Sequence, residues 1–114
     1  MKLEDQVVSL ELAKKLKELG IKQESYILWK KYEGKPYLVA DISALNSEGT
    51  MEASAFTVAE LGMILPNGYH SLIKHPAQWV CFDENGEHGK SERTEANARA
   101  ECLIHLIEKG LMKI

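Results

Sequence analysis

From His70 to His88 the chain reads HSLIKHPAQWVCFDENGEH, and His70, His75, Cys81, Asp83 and His88 are residue types that bind transition metals. A zinc site needs three or four donors within about 2.0 to 2.3 Å of one point, and its sequence signatures rest on close pairs such as C-x₂-C or H-x₃-H. Here His70 and His75 stand five positions apart with Pro76 beside the second, which is poor spacing for one helix face. Cys81 and Asp83 alternate as residues on one strand face do, and His88 can reach that face across the hairpin, but no close ligand pair anchors the set. The expectation is no metal, no cofactor, and histidines on polar loops.

Nucleophilic and acid–base chemistry find no better footing. Cys81 with any histidine lacks a nucleophile elbow or a family-specific cysteine signature. Asp83 with Glu84 is an acidic pair beside a turn, the usual place for a solvated corner. The eight glycines are dispersed at turns and helix ends, with no phosphate-cradling loop. No catalysis is expected. Cys81 and Cys102 read as reduced, buried small hydrophobes.

The elements that would position these residues are more legible. In SLELAKKLKELGIK, Ser9 caps a helix, Gly20 takes its left-handed C′ position, and Leu12, Ala13, Leu16 and Leu19 form one stripe, with Ile21 the apolar partner of the ending. YILWKKYEGKPYLVADIS reads as a β-hairpin turning at Gly34 and Lys35. That pairing places Ile27, Trp29, Leu38, Ala40 and Ile42 on one face and Tyr26, Leu28, Tyr32, Tyr37 and Val39 on the other. Both faces are apolar, whereas a sheet covered by helices on one side needs only one such face. Tyr26, Tyr32, Tyr37 and Val39 are therefore the candidate interaction surface. NSEGTMEAS reads as loop.

In FTVAELGMILP, Thr57 and Glu60 make a capping box and Phe56 with Leu61 a hydrophobic staple. QWVCFDENG is a third strand ended by Asn85-Gly86 as a type I′ turn, after which EHGKSE pairs back weakly. TEANARAECLIHLIEKG is the last helix, with Ala96, Ala100, Leu103, Ile104, Leu106 and Ile107 on its apolar arc and Asn97, Glu101, His105 and Glu108 opposite. Arg99 sits at the arc's edge, its stem on the core and its guanidinium in water or on an acid. Gly110 and Leu111 end this helix as Gly20 and Ile21 end the first.

On MKLEDQVVSLELAKKLKELGIKQES, FTVAELGMILP and TEANARAECLIHLIEKGL the chain resembles a group of small proteins, with no assigned activity, carried by phages and prophages chiefly in Bacteroides-like bacteria. The resemblance spans most of residues 1 to 25, 54 to 66 and 94 to 112, in matching order. ECLIHL departs from a commoner Lys-Met version at Glu101 and Cys102. These stretches are helix-and-cap signatures, so the resemblance implies kinship and carries over no catalytic or binding residue.

Composition bounds the rest. With 45% apolar and 27% charged residues the chain is of ordinary globular type, one domain over 1–114. Residues 1 to 40 hold eight lysines against six acids, and 41 to 114 hold six basic residues against eleven acids, so neither half carries a basic stripe. No apolar run has signal-peptide or membrane-span length, and the expectation is a cytoplasmic protein without membrane contact. The expected fold is α+β, a small antiparallel sheet of three or four strands with three helices packed mainly on one face. The expected function is a cytosolic accessory or protein-interaction module of phage or mobile-element origin, acting on an unknown protein partner or by self-association. The alternative is a weak nucleic-acid-binding protein using Trp29, Lys30 and Lys31, aromatic and basic residues on one strand; a small hydrolase or metal-binding protein ranks third. Glu24 and Glu33 dilute the field that phosphate binding requires.

Overall fold

Ser9 does begin a helix: its Oγ accepts from the Leu12 N–H at 3.4 Å. The computed structural model describes residues 2–66, 68–74 and 78–113. A short α1, Leu3–Gln6, precedes α2, Leu10–Glu18. Gly20 ends α2 with φ 95°. Its N–H bonds the Lys17 carbonyl and the Ile21 N–H the Leu16 carbonyl, which is a Schellman ending.

Strands β1, Ile27–Tyr32, and β2, Lys35–Ala40, form the expected hairpin. The turn lies at Glu33-Gly34, not Gly34-Lys35, because Tyr32 pairs with Lys35. Both turn residues have positive φ, 50° and 77°, as a type I′ turn requires. Correcting the turn moves the register by two residues, so no side chain changes face. Ile42 is the exception: it lies in a 3₁₀ helix, Asp41–Asn46, that follows β2.

Thr50–Ser54, expected as loop, is strand β3, and it pairs antiparallel with β1 to give the order β2-β1-β3. The register slips at one point: Trp29 faces Ala53, but Lys30 faces Met51. Glu52 is therefore an extra, bulged residue. The bulge lets Ala53 point inward beside Trp29 while Met51 points outward beside Lys30.

α3, Val58–Ile64, carries the complete capping box, and Phe56 and Leu61 are both buried beneath it. β4, His70–Lys74, and β5, Gln78–Phe82, form a separate antiparallel pair. The strands are thus divided between two small sheets of three and two, rather than gathered in one. Past β5, Gly86 is left-handed and its N–H bonds the Asp83 carbonyl. The Asp83 N–H bonds Glu87, so this is a type I turn with a glycine bulge in place of type I′. EHGKSE pairs back only at isolated bridges, Phe82 with His88 and Trp79 with Glu92.

α4, Glu95–Glu108, is capped by Thr94 and runs through the centre of the molecule. It packs against β5, α3 and α2. Ala98 and Cys102 are as buried as the apolar arc expected for it. The core joins Val7, Val8, Leu16, Trp29, Phe56, Leu61, Cys81 and Leu103. Side chains of that size contribute roughly 1.5 to 3 kcal/mol each on burial. No helix among the described residues is long and apolar enough to cross a membrane.

Because the Thr57 hydroxyl accepts the Glu60 N–H at 3.2 Å over a buried staple, Thr57→Ala is expected to lower unfolding free energy by about 1 kcal/mol in urea denaturation. An unchanged midpoint would mean that the cap contributes nothing.

Candidate functional site

The histidine-rich stretch does not converge. His70 stands on β4 against Phe82, ring centroids 5.8 Å apart. His88 turns its Nδ1 to the Gly89 carbonyl at 2.8 Å. Asp83 holds its own turn, its Oδ1 accepting from the Asn85 and Glu87 N–H groups. Cys81 is buried beside Cys102 and Ser71, and His75 lies outside the described residues. Among the described residues no three His, Cys, Asp or Glu side chains are grouped to hold a metal.

Both cysteines are free and buried. The Cys102 thiol, hydrogen-bonded to Cys81, is pushed well up by that contact and by burial. Cys81 is held lower, chiefly by Cys102, with Ser71 and the Arg99 guanidinium acting in the same direction. Arg99 joins three elements: Nε donates to Ser71 Oγ at 2.9 Å, one terminal nitrogen to the Val58 carbonyl at 3.1 Å, and the other to Glu95 at 3.3 Å. This is a structural clamp, and of the two settings open to the guanidinium, water or an acid, it takes the acid.

Trp29, Lys30 and Lys31 are not placed as a nucleic-acid surface. The Trp29 ring faces the core, and its indole N–H donates to the Val8 carbonyl at 2.9 Å. Lys30 is only 5% exposed, and Lys31 pairs with Glu52 at 3.8 Å. Of these three residues, Trp29 offers no free ring, Lys30 no free ammonium, and Lys31 stands beside a carboxylate.

The outer face of the β1–β3 sheet is different. The segment 41–49 crosses it as a strap. All three Lys30 ammonium protons go to the strap, to the Ala44 carbonyl, the Ser47 carbonyl and Ser47 Oγ, each at 2.9 Å. Tyr37 donates its hydroxyl to the Glu48 carbonyl. Tyr37 and Val39 are half-buried, Tyr32 lies at the edge of exposure, and Tyr26 is 78% exposed. The strap adds two residues that were not expected at a surface: Ile42 is 90% and Leu45 98% exposed. A 3₁₀ helix repeats every three residues, so these two stand on one side, away from the sheet. Met51, also exposed, lies on the same face opposite Lys30.

A second cluster sits between α2, α4 and residues 88–92. Glu101 is hydrogen-bonded to Glu92 and shares its groove with His88, Lys90 and His105. Burial, and then the neighbouring Glu92, push its carboxyl up to about 7. His105 Nε2 meets Glu87 Oε1 at 2.8 Å, and with Lys109 it holds Glu87 below the usual carboxylate range. The approach of this segment to α4 requires Gly89, since a Cβ there would strike the Glu101 main chain. Periodicity puts Glu101 on the polar side of α4, but it does not show which loop returns to cover that side.

Comparison with protein-family models, with curated proteins and with solved structures gives no match.

An acid raised in the folded state binds more protons there than when unfolded, so stability falls as pH rises between about 4.5 and 7. Glu101→Gln is expected to stabilise the protein by about 1 kcal/mol at pH 8, solvent screening limiting the gain, and to change nothing at pH 4. Denaturation at both pH values checks this; an equal effect at the two would show that proton uptake is not involved.

Proposed function

We propose that this chain is a protein-interaction module of phage or mobile-element origin, without catalysis, that acts in the cytoplasm through the outer face of its β1–β3 sheet. The observation that carries the reading is the pair Ile42 and Leu45, almost wholly exposed on a strap whose main chain is tied down from beneath. Single exposed aliphatic residues are ordinary. Two in stacking register on an anchored turn, with Tyr26 and Met51 on the same side, make a patch of the kind that marks interaction sites. Tyrosine suits such a surface because it offers a large apolar area and one polar handle.

The buried places of Trp29 and Lys30 support this reading over a nucleic-acid role, since the residues that would have stacked and neutralised serve the core and the strap. The resemblance to phage-borne proteins supports the origin but names no partner.

A photoreactive amino acid at Leu45, compared with one at the exposed Glu18 of α2, tests the proposal in cells that naturally express the chain. The expected result is a covalent adduct of defined mass from position 45 alone, lost on Ile42→Asp. Equal labelling at both positions, or none at 45, would overturn it.

A further inference from the structure

We propose that two copies of this chain pair along the open edge of β2, antiparallel about a two-fold axis at Leu38. This rests on the interaction reading, with a second copy of the chain as the partner. β2 is an edge strand. The Asp41 N–H donates to the Tyr26 carbonyl at 2.8 Å, continuing the β1–β2 register by one residue. Main-chain groups alternate in direction along an antiparallel strand. Those of residues 35, 37, 39 and 41 therefore turn towards β1, and those of Pro36, Leu38 and Ala40 turn to the open edge. The edge of β3 is closed by contrast: Lys17 Nζ donates to the Glu52 carbonyl at 3.0 Å, and the Ser54 N–H donates to Gln23 at 2.8 Å.

The sequence K-P-Y-L-V-A-D, Lys35 to Asp41, is self-complementary about its centre. With Leu38 opposite the partner's Leu38, each donates its N–H to the other's carbonyl, and each Ala40 N–H meets the partner's Pro36 carbonyl. On the outer face Tyr37 then lies opposite the partner's Val39, an aromatic and β-branched pair of the kind that stabilises sheets. Lys35 lies opposite the partner's Asp41, at both ends of the seam, and both residues are exposed in the single chain. On the inner face the facing residues are Pro36 with the partner's Ala40 and the two leucines. Sliding the register by two residues in either direction breaks the Lys–Asp match and sets like side chains, Tyr37 or Val39, opposite themselves. Lysine and proline are also the residues by which an edge strand resists pairing. In this register the lysine gains an acid, and the proline removes only one donor per copy. Joining the two β2 strands extends each three-stranded sheet into one continuous sheet and brings both outer faces to the same side.

Sedimentation equilibrium of the full chain over a wide concentration range, with charge reversal at the ends of the seam, is the test. The mass should rise from 12.8 kDa towards twice that value. Asp41→Lys, which sets lysine against the partner's Lys35 at both ends, should weaken pairing about tenfold or more. Adding Lys35→Asp to it restores the opposite pairs and should return the affinity to near that of the unaltered chain. A chain that stays at 12.8 kDa throughout, or a dimer indifferent to Asp41→Lys, overturns the edge pairing. If the mass instead falls on Ile42→Asp, the strap is the contact; the edge proposal fails and the interaction reading stands. A monomer that also gives no adduct from position 45 ends both.

Discussion

An ammonium group with no carboxylate among its hydrogen-bond partners lies 5% exposed on the outer face of the three-stranded sheet, and three neutral oxygens of one short segment satisfy it. Removing a cation from water is costly unless every proton finds an acceptor. Lys30 meets that condition only with residues 44–47 folded down over it. Ser47 completes the arrangement, since its Oγ accepts from Lys30 and donates to the Ala44 carbonyl at 2.9 Å. The strap's path follows from this contact. Its main chain faces the sheet, Ile42 and Leu45 face away, and Gly49, at φ 95°, lets it return past the Lys31 carbonyl where a Cβ would collide. The Glu52 bulge belongs to the same arrangement: it turns Met51 to the outer face and leaves Glu52 to meet Lys14 at 3.4 Å and Lys31 at 3.8 Å.

Elsewhere polar contacts join elements rather than present them. Arg99 ties α4 to α3 and β4, Asn97 accepts the Ser9 N–H at 2.8 Å, and His105 with Lys109 holds Glu87 in the last turn. Around a core of Phe56, Leu61 and Leu103 these contacts fix α4 to α3, to the start of α2 and to the β4–β5 pair. The molecule thus has a well-tied centre, and on the outer face of the β1–β3 sheet Ile42, Leu45 and Met51 are exposed.

What was legible in the sequence was what local physics decides. Ser9, Gly20, Thr57 with Glu60, and Gly110 mark helix ends through bonds made within a few residues, and all four act as read. The hairpin faces survived a misplaced turn because the error moved the register by an even number. β3 was illegible because bulged Glu52 breaks the alternation that identifies a strand. β4 was illegible because Leu72 and Ile73 are adjacent and both exposed, which no one-sided pattern contains. Lys30 reads as an ordinary edge lysine; its burial depends on a strap brought over it from beyond the hairpin, and no spacing encodes that. Tyr32 and Tyr37 share the Lys30 face, as alternation implies, but the share of that face covered by residues 41–49 is not in the pattern. Glu101 was misplaced for the same reason.

That Lys30 holds the strap down, and thereby sets which residues the outer face presents, can be checked by amide hydrogen exchange of a Lys30→Met variant. Methionine keeps the apolar stem and removes every donor. Protection should fall about tenfold or more across residues 41–49 while α4 keeps its own, since local opening is governed by local contacts. Unchanged protection across 41–49 would show that the strap holds its position without the ammonium.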